Sequence, residues 1–301
     1  MLPYARRSDF LILDNKFELI ICIIHGIFTI VRTFVHSLGL IMCHQLPFQS
    51  ETRIRILECL LLLKALDFAQ FYIAVKTVIK IYDPSYRLSL FMILNTCFLS
   101  SFTFYKLHQR LDRRIDTWVV SPITYIIEGC LLIVYKFVRS KELFLRIFRI
   151  LGLNKRLTKA YYYRRKLSLF VELDFIYNSV NLYMVSTFHD VKTPNLEVLY
   201  GVLSFVSNVL TTINISKEDM TQRVTSIILS SLGLLVSFIM LVCKLISYFD
   251  KSDPFNNWMM ICINIDLLVF NVGILHYSIR DYFHFGSGLK TYNLSSYKIK
   301  L

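Results

Sequence analysis

The chain is made of apolar runs about as long as a bilayer is thick, and that leaves few folds open to it. Phe17 to Cys43, Cys59 to Tyr82, Leu88 to Leu107, Leu167 to Phe188, Leu196 to Ile215, Val224 to Phe249 and Met259 to Phe283 are each poor in charge. An α-helix needs about 20 apolar residues to cross the hydrocarbon, where its backbone must pair within the segment. Charged residues are only 18% of the chain and hydrophobic ones 55%. A soluble domain carries roughly 25% charged residues, so water is the wrong solvent for this composition. The expected fold is all-α and polytopic, with seven spans, or eight if Trp118 to Phe137 also crosses. That stretch holds Pro122, Glu128 and Gly129. Charge favours laying it in the membrane surface, because a crossing would put the basic stretch before it and the basic belt after it on opposite sides.

The belt divides the chain. Lys136, Arg139, Lys141, Arg146, Arg149, Lys155, Arg156, Lys159, Arg164, Arg165 and Lys166 are eleven cations with one acid, Glu142, among them, which leaves +10 of the whole chain's +13. The expected organisation is a membrane half over residues 1–138, a basic amphipathic segment at the cytosolic face over 139–166, a four-span half over 167–285, and a basic tail over 286–301. Within the belt, Leu143, Ile147, Ile150, Leu151 and Leu157 recur at helical spacing, so Glu142 to Lys159 reads as an amphipathic helix. Such a helix lies on an anionic leaflet, each cation near the surface contributing about 1 kcal/mol. Arg146, Arg149, Lys155, Arg156, Lys159, Arg164, Arg165 and Lys166 are the expected lipid-surface contacts, and anionic head groups the expected partner. Tyr161, Tyr162 and Tyr163 add an interfacial aromatic belt.

Orientation follows from the belt. With seven spans and the belt in the cytosol, the tail is cytosolic and the N-terminus lies on the other side. The sequons at Asn214 and Asn293 then face the cytosol and stay unglycosylated. Met1 to Lys16 is polar and lacks the apolar core of a cleaved signal, so the first span is expected to direct insertion.

Ionisable residues inside spans are the candidate sites, because the bilayer makes them expensive. Lys64 and Asp67 are three apart on one helix face and are expected to pair. Lys76 and Lys80 snorkel. Glu172 and Asp174 read as a proton or cation site, or as interfacial partners of Arg164, Arg165 and Lys166. Asp266 has no local partner, and Lys64 or Lys76 from another helix are the candidates to reach it. His25, Arg32 and His36 put a polar stripe on the first span. The seven cysteines show no CxxC or Cys/His spacing, and reduced thiols are expected. His276 and His284 are two turns apart, but no HExxH or HxxxH spacing occurs, and no metal or other cofactor is implied. GxGxxG, GxxxxGK[ST] and GxSxG are likewise missing from the sequence. The belt's place between spans favours lipid over nucleic acid.

Two resemblances bear on function. Leu111-Asp112-Arg113-Arg114 after the third span resembles the acidic-arginine motif of seven-span receptors, although the last span has no NPxxY sequence. Lys159-Ala160-Tyr161, Arg164, Arg165, Leu169, Asp174, Asn178, Asn181, Tyr183 and Tyr200-Gly201-Val202-Leu203-Ser204 are similar to the C-terminal region of the peroxisomal biogenesis factor 11 family. Leu61 to Leu107, with Asp67, resembles that family's middle. The family ends near the position of Ile215, whereas this chain continues through two strong spans. The resemblance implies a peroxisomal membrane protein that bends or elongates its membrane, with Glu142 to Lys159 as the bending helix.

The leading expectation is therefore a non-enzymatic protein that organises an internal eukaryotic membrane, of the peroxisome or endoplasmic reticulum rather than the plasma membrane, alone or as a homo-oligomer or with a membrane-protein partner. A receptor or small-solute transporter with Asp266, Glu172 and Asp174 lining a polar path is the second expectation, and a histidine-metal lipid enzyme the third.

Overall fold

In a computed structural model, residues 16–45, 50–80, 83–111, 119–151, 155–187, 194–217, 219–250 and 254–285 are described, and they are helical almost throughout. The helices are α1 (Lys16–Gln45), α2 (Ser50–Lys80), α3 (Asp83–Leu111), α4 (Val120–Leu151), α5 (Lys155–Thr187), α6 (Pro194–Lys217), α7 (Met220–Asp250) and α8 (Pro254–Tyr282). Local chemistry sets several ends. Pro194 and Pro254 open α6 and α8, where the first turn needs no N–H donor. Asp219 caps α7, its Oδ1 accepting from the backbone N–H of Thr221 at 2.9 Å and of Gln222 at 3.4 Å. After α8 the chain tightens, with His284 N–H on the Asp281 carbonyl at 2.9 Å, just before Gly286. Many span hydroxyls, such as Thr29, Thr77, Thr96 and Thr103, donate to the carbonyl one turn back, which satisfies them without water.

The helices form two four-membered groups of the same plan. In the first, α1 packs on α2, α2 on α3, α3 on α4, and α4 closes back on α1; α5 to α8 repeat the cycle. Consecutive helices run antiparallel, as partners such as Arg32 with Asp67 and Asp174 with Ser204 require. α2 and α4 are diagonal and parallel, so Asp67 meets Tyr125, Gln70 meets Glu128 and Tyr135 meets Val78 in one register. The repetition lies in the architecture; the sequence carries no visible repeat. The halves meet through α5 against α2, α3 and α4. The main apolar core sits at that seam, where Leu62, Leu66, Met92, Tyr177, Met240 and Phe270 are buried together.

Outside, the pattern is the reverse of a soluble protein's. Ile30 is 70% exposed and Phe34 63%, while Arg32, between them in sequence, is 0% exposed. Exposed Ile23, Ile27, Ile30 and Phe34 make one stripe of α1; buried His25, Thr29, Arg32 and His36 make the opposite one. An apolar exterior over a polar interior is the signature of a lipid-facing bundle. Six helices are long and apolar enough to cross a membrane: Glu18–Ile41, Tyr86–Tyr105, Val120–Val138, Asn195–Ile213, Met220–Ile246 and Met260–Tyr282. α2 and α5 fall short of that apolarity because they carry the charged residues that face the seam and the neighbouring helices.

Two expectations change. Trp118 to Phe137 does not lie apart as a surface segment: from Val120 it is part of a long helix packed on α3 and α1. Glu142 to Lys159 is not one amphipathic helix, because α4 continues to Leu151 and α5 starts at Lys155, so the belt straddles two long helices. The six described cysteines, Cys22, Cys59, Cys97, Cys130, Cys243 and Cys262, are free thiols. The Cys43 side chain, the N-terminal segment, the tail with Asn293 and the loop with Asp112 lie outside what the structure describes.

Candidate intramembrane polar site

α1, α2 and α4 bring a charged cluster into the centre of the first half. The spacing 25, 29, 32, 36 puts His25, Thr29, Arg32 and His36 on one face of α1, toward Asp67 and Gln70 of α2 and Tyr125 and Glu128 of α4. Arg32 Nε donates to Asp67 Oδ1 at 3.0 Å and Nη1 to Glu128 Oε2 at 2.8 Å. His25 Nδ1 lies 2.5 Å from Glu128 Oε1, and Gln70 Nε2 donates to Glu128 Oε2 at 2.7 Å. Tyr125 donates to Asp67 and its ring lies under the guanidinium, 4.2 Å from centroid to carbon. His36 Nδ1 approaches Asp67 Oδ2 at 3.2 Å, off the hydrogen-bonding direction. The ionisable members Arg32, Asp67, Glu128, His25 and His36 are all 0% exposed.

Glu128 is central to the apolar stretch of α4. Glu128 lies eight residues from Val120 and ten from Val138, the ends of its apolar stretch. At 1.5 Å per residue that is about 12 to 15 Å from either end, near the middle of a hydrocarbon core about 30 Å thick. One arginine faces two carboxylates, and the imidazoles of His25 and His36 flank them. His25 Nε2 and Gln70 Oε1 are buried without a hydrogen-bond partner among the described residues.

The second half builds its own polar centre from the same three positions, α5, α6 and α8, with different chemistry. Asp174 is surrounded by neutral donors. Tyr200 donates to Oδ1 at 3.0 Å and Asn271 to the same oxygen at 3.4 Å; Asn208 donates to Oδ2 at 2.7 Å, and Ser204 donates to Oδ2 as well. Four accepted bonds use the acceptor capacity of an ionised carboxylate. Ser204 lies nine residues from each end of Asn195–Ile213, and Asn271 eleven from each end of Met260–Tyr282. This centre too is therefore at mid-depth.

The sequence candidates land as follows. Asp67 does not pair with Lys64, whose Nζ donates to Ser37 Oγ at 2.8 Å; Arg32 points inward and takes the carboxylate instead. Asp266 is reached by neither Lys64 nor Lys76. Asn95 from the facing half donates to it at 2.5 Å and to Tyr177 Oη at 3.1 Å. Glu172 and Asp174 are not a pair, because two residues of helix turn them to different neighbours: Glu172 takes Lys76 of α2, closing the seam beside the tyrosine ring of Tyr72. Of the belt, Lys155, Arg156 and Lys159 are exposed. Arg165 lies over the Tyr161 ring at 5.4 Å and Lys166 over Tyr277 at 5.2 Å. Arg164 is not a surface cation: it is 4% exposed and donates to Asp281 at 2.8 Å. Arg146 and Arg149 lie in α4 with side chains outside the described residues. Lys244 and Glu197 approach at 2.6 Å near the opposite face. His276 meets the Tyr277 ring edge-on, and His284 meets the Tyr163 ring edge-on. Among the described residues no group of three or more His, Cys, Asp or Glu is placed to hold a metal.

Sequence reasoning singled out Asp67 and Asp174 but missed their partners. The stripe at 25, 29, 32 and 36 was the available signal for Arg32. Nothing local marks Glu128 as its second acid, since 96 residues separate the two.

No family model, no curated protein and no solved structure matches the chain.

Proposed function

We propose that the protein is an eight-span membrane protein that passes protons or a small cation along a polar path through its two bundle centres. The observation that carries this is the Arg32, Asp67 and Glu128 network at mid-depth, with zero exposure and two imidazoles against it. A buried ion pair is a poor device for stability, since well-packed apolar residues serve as well or better. In a membrane, ionisable groups at such depth mark ion and proton pathways. Asp174 in its neutral donor shell and Asp266 at the seam supply further carboxylates along the same interior.

The test uses full-length protein in phosphatidylcholine vesicles, with a pH-sensitive dye inside and imposed proton, sodium or potassium gradients. Flux of at least one of these ions above protein-free vesicles is expected, with a loss of about tenfold or more in Glu128→Gln while elution and melting stay near wild type. Flux equal to empty vesicles for all three ions removes the proposal.

A second reading, organisation of an internal membrane, is favoured by exposed Lys155, Arg156 and Lys159 beside buried Leu157, Ala160 and Tyr161. The likeness to the peroxisomal biogenesis factor 11 family supports the same reading and its peroxisomal setting. Charge reversal at those two lysines and the arginine in the full chain, scored by the shape of the organelle that a tagged copy labels, tests it. Unchanged organelle shape counts against this reading and leaves the transport reading untouched.

A further inference from the structure

Near the belt-side end of the second half, two arginines share one carboxylate. Arg164 Nε donates to Asp281 Oδ1 at 2.8 Å, and Arg223 Nη2 donates to Asp281 Oδ2 at 2.6 Å. The three side chains are 4%, 0% and 0% exposed. Among the described residues, Arg223 Nε and Nη1 are buried with no hydrogen-bond partner, so three of that guanidinium's five N–H groups have no acceptor there. Buried guanidinium donors without acceptors are expensive, and the expense ends when an anion takes them. Phe285 lies over both guanidiniums, 5.4 Å from Arg223 and 5.7 Å from Arg164, which shields the group on one side.

The level of the group identifies the anion. Arg223 is three residues inside Met220 and Asp281 one residue inside Tyr282, the belt-side ends of two apolar stretches. That is the depth of lipid head-group phosphates. Exposed Met220, Val224 and Ile228 continue along α7 from the same end, an apolar track where acyl chains can lie. Guanidinium is the residue chemistry suited to phosphate oxygens, and basic pockets between spans on the cytosolic side bind anionic head groups.

We propose that Arg223, supported by Arg164 and Asp281, is a binding site for a phosphate group, that of an anionic phospholipid head group or of free phosphate. It differs from the sequence expectation of a diffuse, solvent-facing belt: the binding group is buried and its geometry is fixed by one shared carboxylate. The site is independent of the ion path, from which it is separated by the length of half a span.

The test is affinity and melting of the purified full chain in neutral detergent, with short-chain phosphatidic acid and inorganic phosphate as probes. Phosphatidic acid is expected to raise the wild-type melting temperature. Arg223→Gln and Arg223→Lys are each expected to weaken its binding by about tenfold or more, the size of a lost charged hydrogen bond. Arg223→Lys keeps the charge facing Asp281, so a purely structural ion pair would be rescued by it and a phosphate site would not. Lys155→Gln removes the same charge from the exposed belt and is expected to change binding less than about twofold. A response to both probes assigns a free-phosphate site, and a response to the lipid alone assigns a head-group site. No melting shift with either probe, or equal losses in Lys155→Gln and Arg223→Gln, overturns the proposal.

Discussion

Arg32 is the side chain on which the first half's interior depends, because it compensates two carboxylates that have no other fixed cation. Replacing it with Met leaves Asp67 and Glu128 buried together with only the two imidazoles for charge. Removing one partner of a buried pair is destabilising by about 3 to 5 kcal/mol, and Arg32→Met is expected to lower the thermal midpoint in detergent by several degrees or to abolish folded yield. Glu128→Gln is milder, since Gln70 and His25 still find polar atoms at that position. Asp174 and Asp266 separate in the same way. Asp174 accepts from four donors, whereas Asp266 holds Asn95 at one edge. Asp174→Asn turns an amide N–H₂ toward groups that donate, at about 1 to 3 kcal/mol for a buried donor left unmet. It is therefore expected to melt earlier than Asp266→Asn, and the reverse order in paired melting curves contradicts the donor shell. These acids were legible in the sequence because a carboxylate in an apolar run is conspicuous. Their partners were not, because each comes from a different helix at separations of 35, 96 and 103 residues, and one chain read alone contains no signal at that range.

Among the helices, α5 and α8 depend on a close approach. A Cβ at Gly273 would sit 2.5 Å from the Phe170 ring, and that ring is held by stacking on Tyr277 at 5.5 Å. Gly273→Ala forces the ring off its neighbour, an overpacking effect of about 1 to 3 kcal/mol. Gly233 on α7 has room: the nearest atom to its added Cβ is Asn271 Oδ1 at 3.7 Å. There alanine gains about 1 kcal/mol of helix propensity at no steric expense, so Gly233→Ala is expected to hold or raise the melting temperature while Gly273→Ala lowers it. Apolar run lengths had given the helices themselves. What they could not give was the treatment of α2, α5 and the start of α4. Charges at Lys64, Asp67, Glu172 and Asp174 dilute the apolarity of α2 and α5, yet those residues point at other helices. Pro122 reads as a breaker in isolation, but in the first turn of α4 it needs no donor and breaks nothing.

At the scale of the molecule, an even number of antiparallel helices fixes both chain ends to one side. If all eight cross, the belt between α4 and α5, the end of α6 with Asn214, the tail and the N-terminus share the side that the belt's eleven cations assign to the cytosol. The seven-span expectation put the N-terminus across the membrane instead, and the difference lies wholly in whether Val120–Val138 spans. Its packing against both α1 and α3, and Glu128's place at the middle of that stretch inside the Arg32 network, make it a member of the bundle. A glycosylation sequon added before Lys16 reads this out in cells. Eight crossings predict that it stays unmodified, as Asn214 and Asn293 do, while a sequon introduced between α3 and α4, in the stretch 112–118, is glycosylated. The opposite pattern at either engineered position would remove α4 from the membrane, and with it the mid-depth setting on which the proposed ion path through Arg32, Asp67 and Glu128 rests.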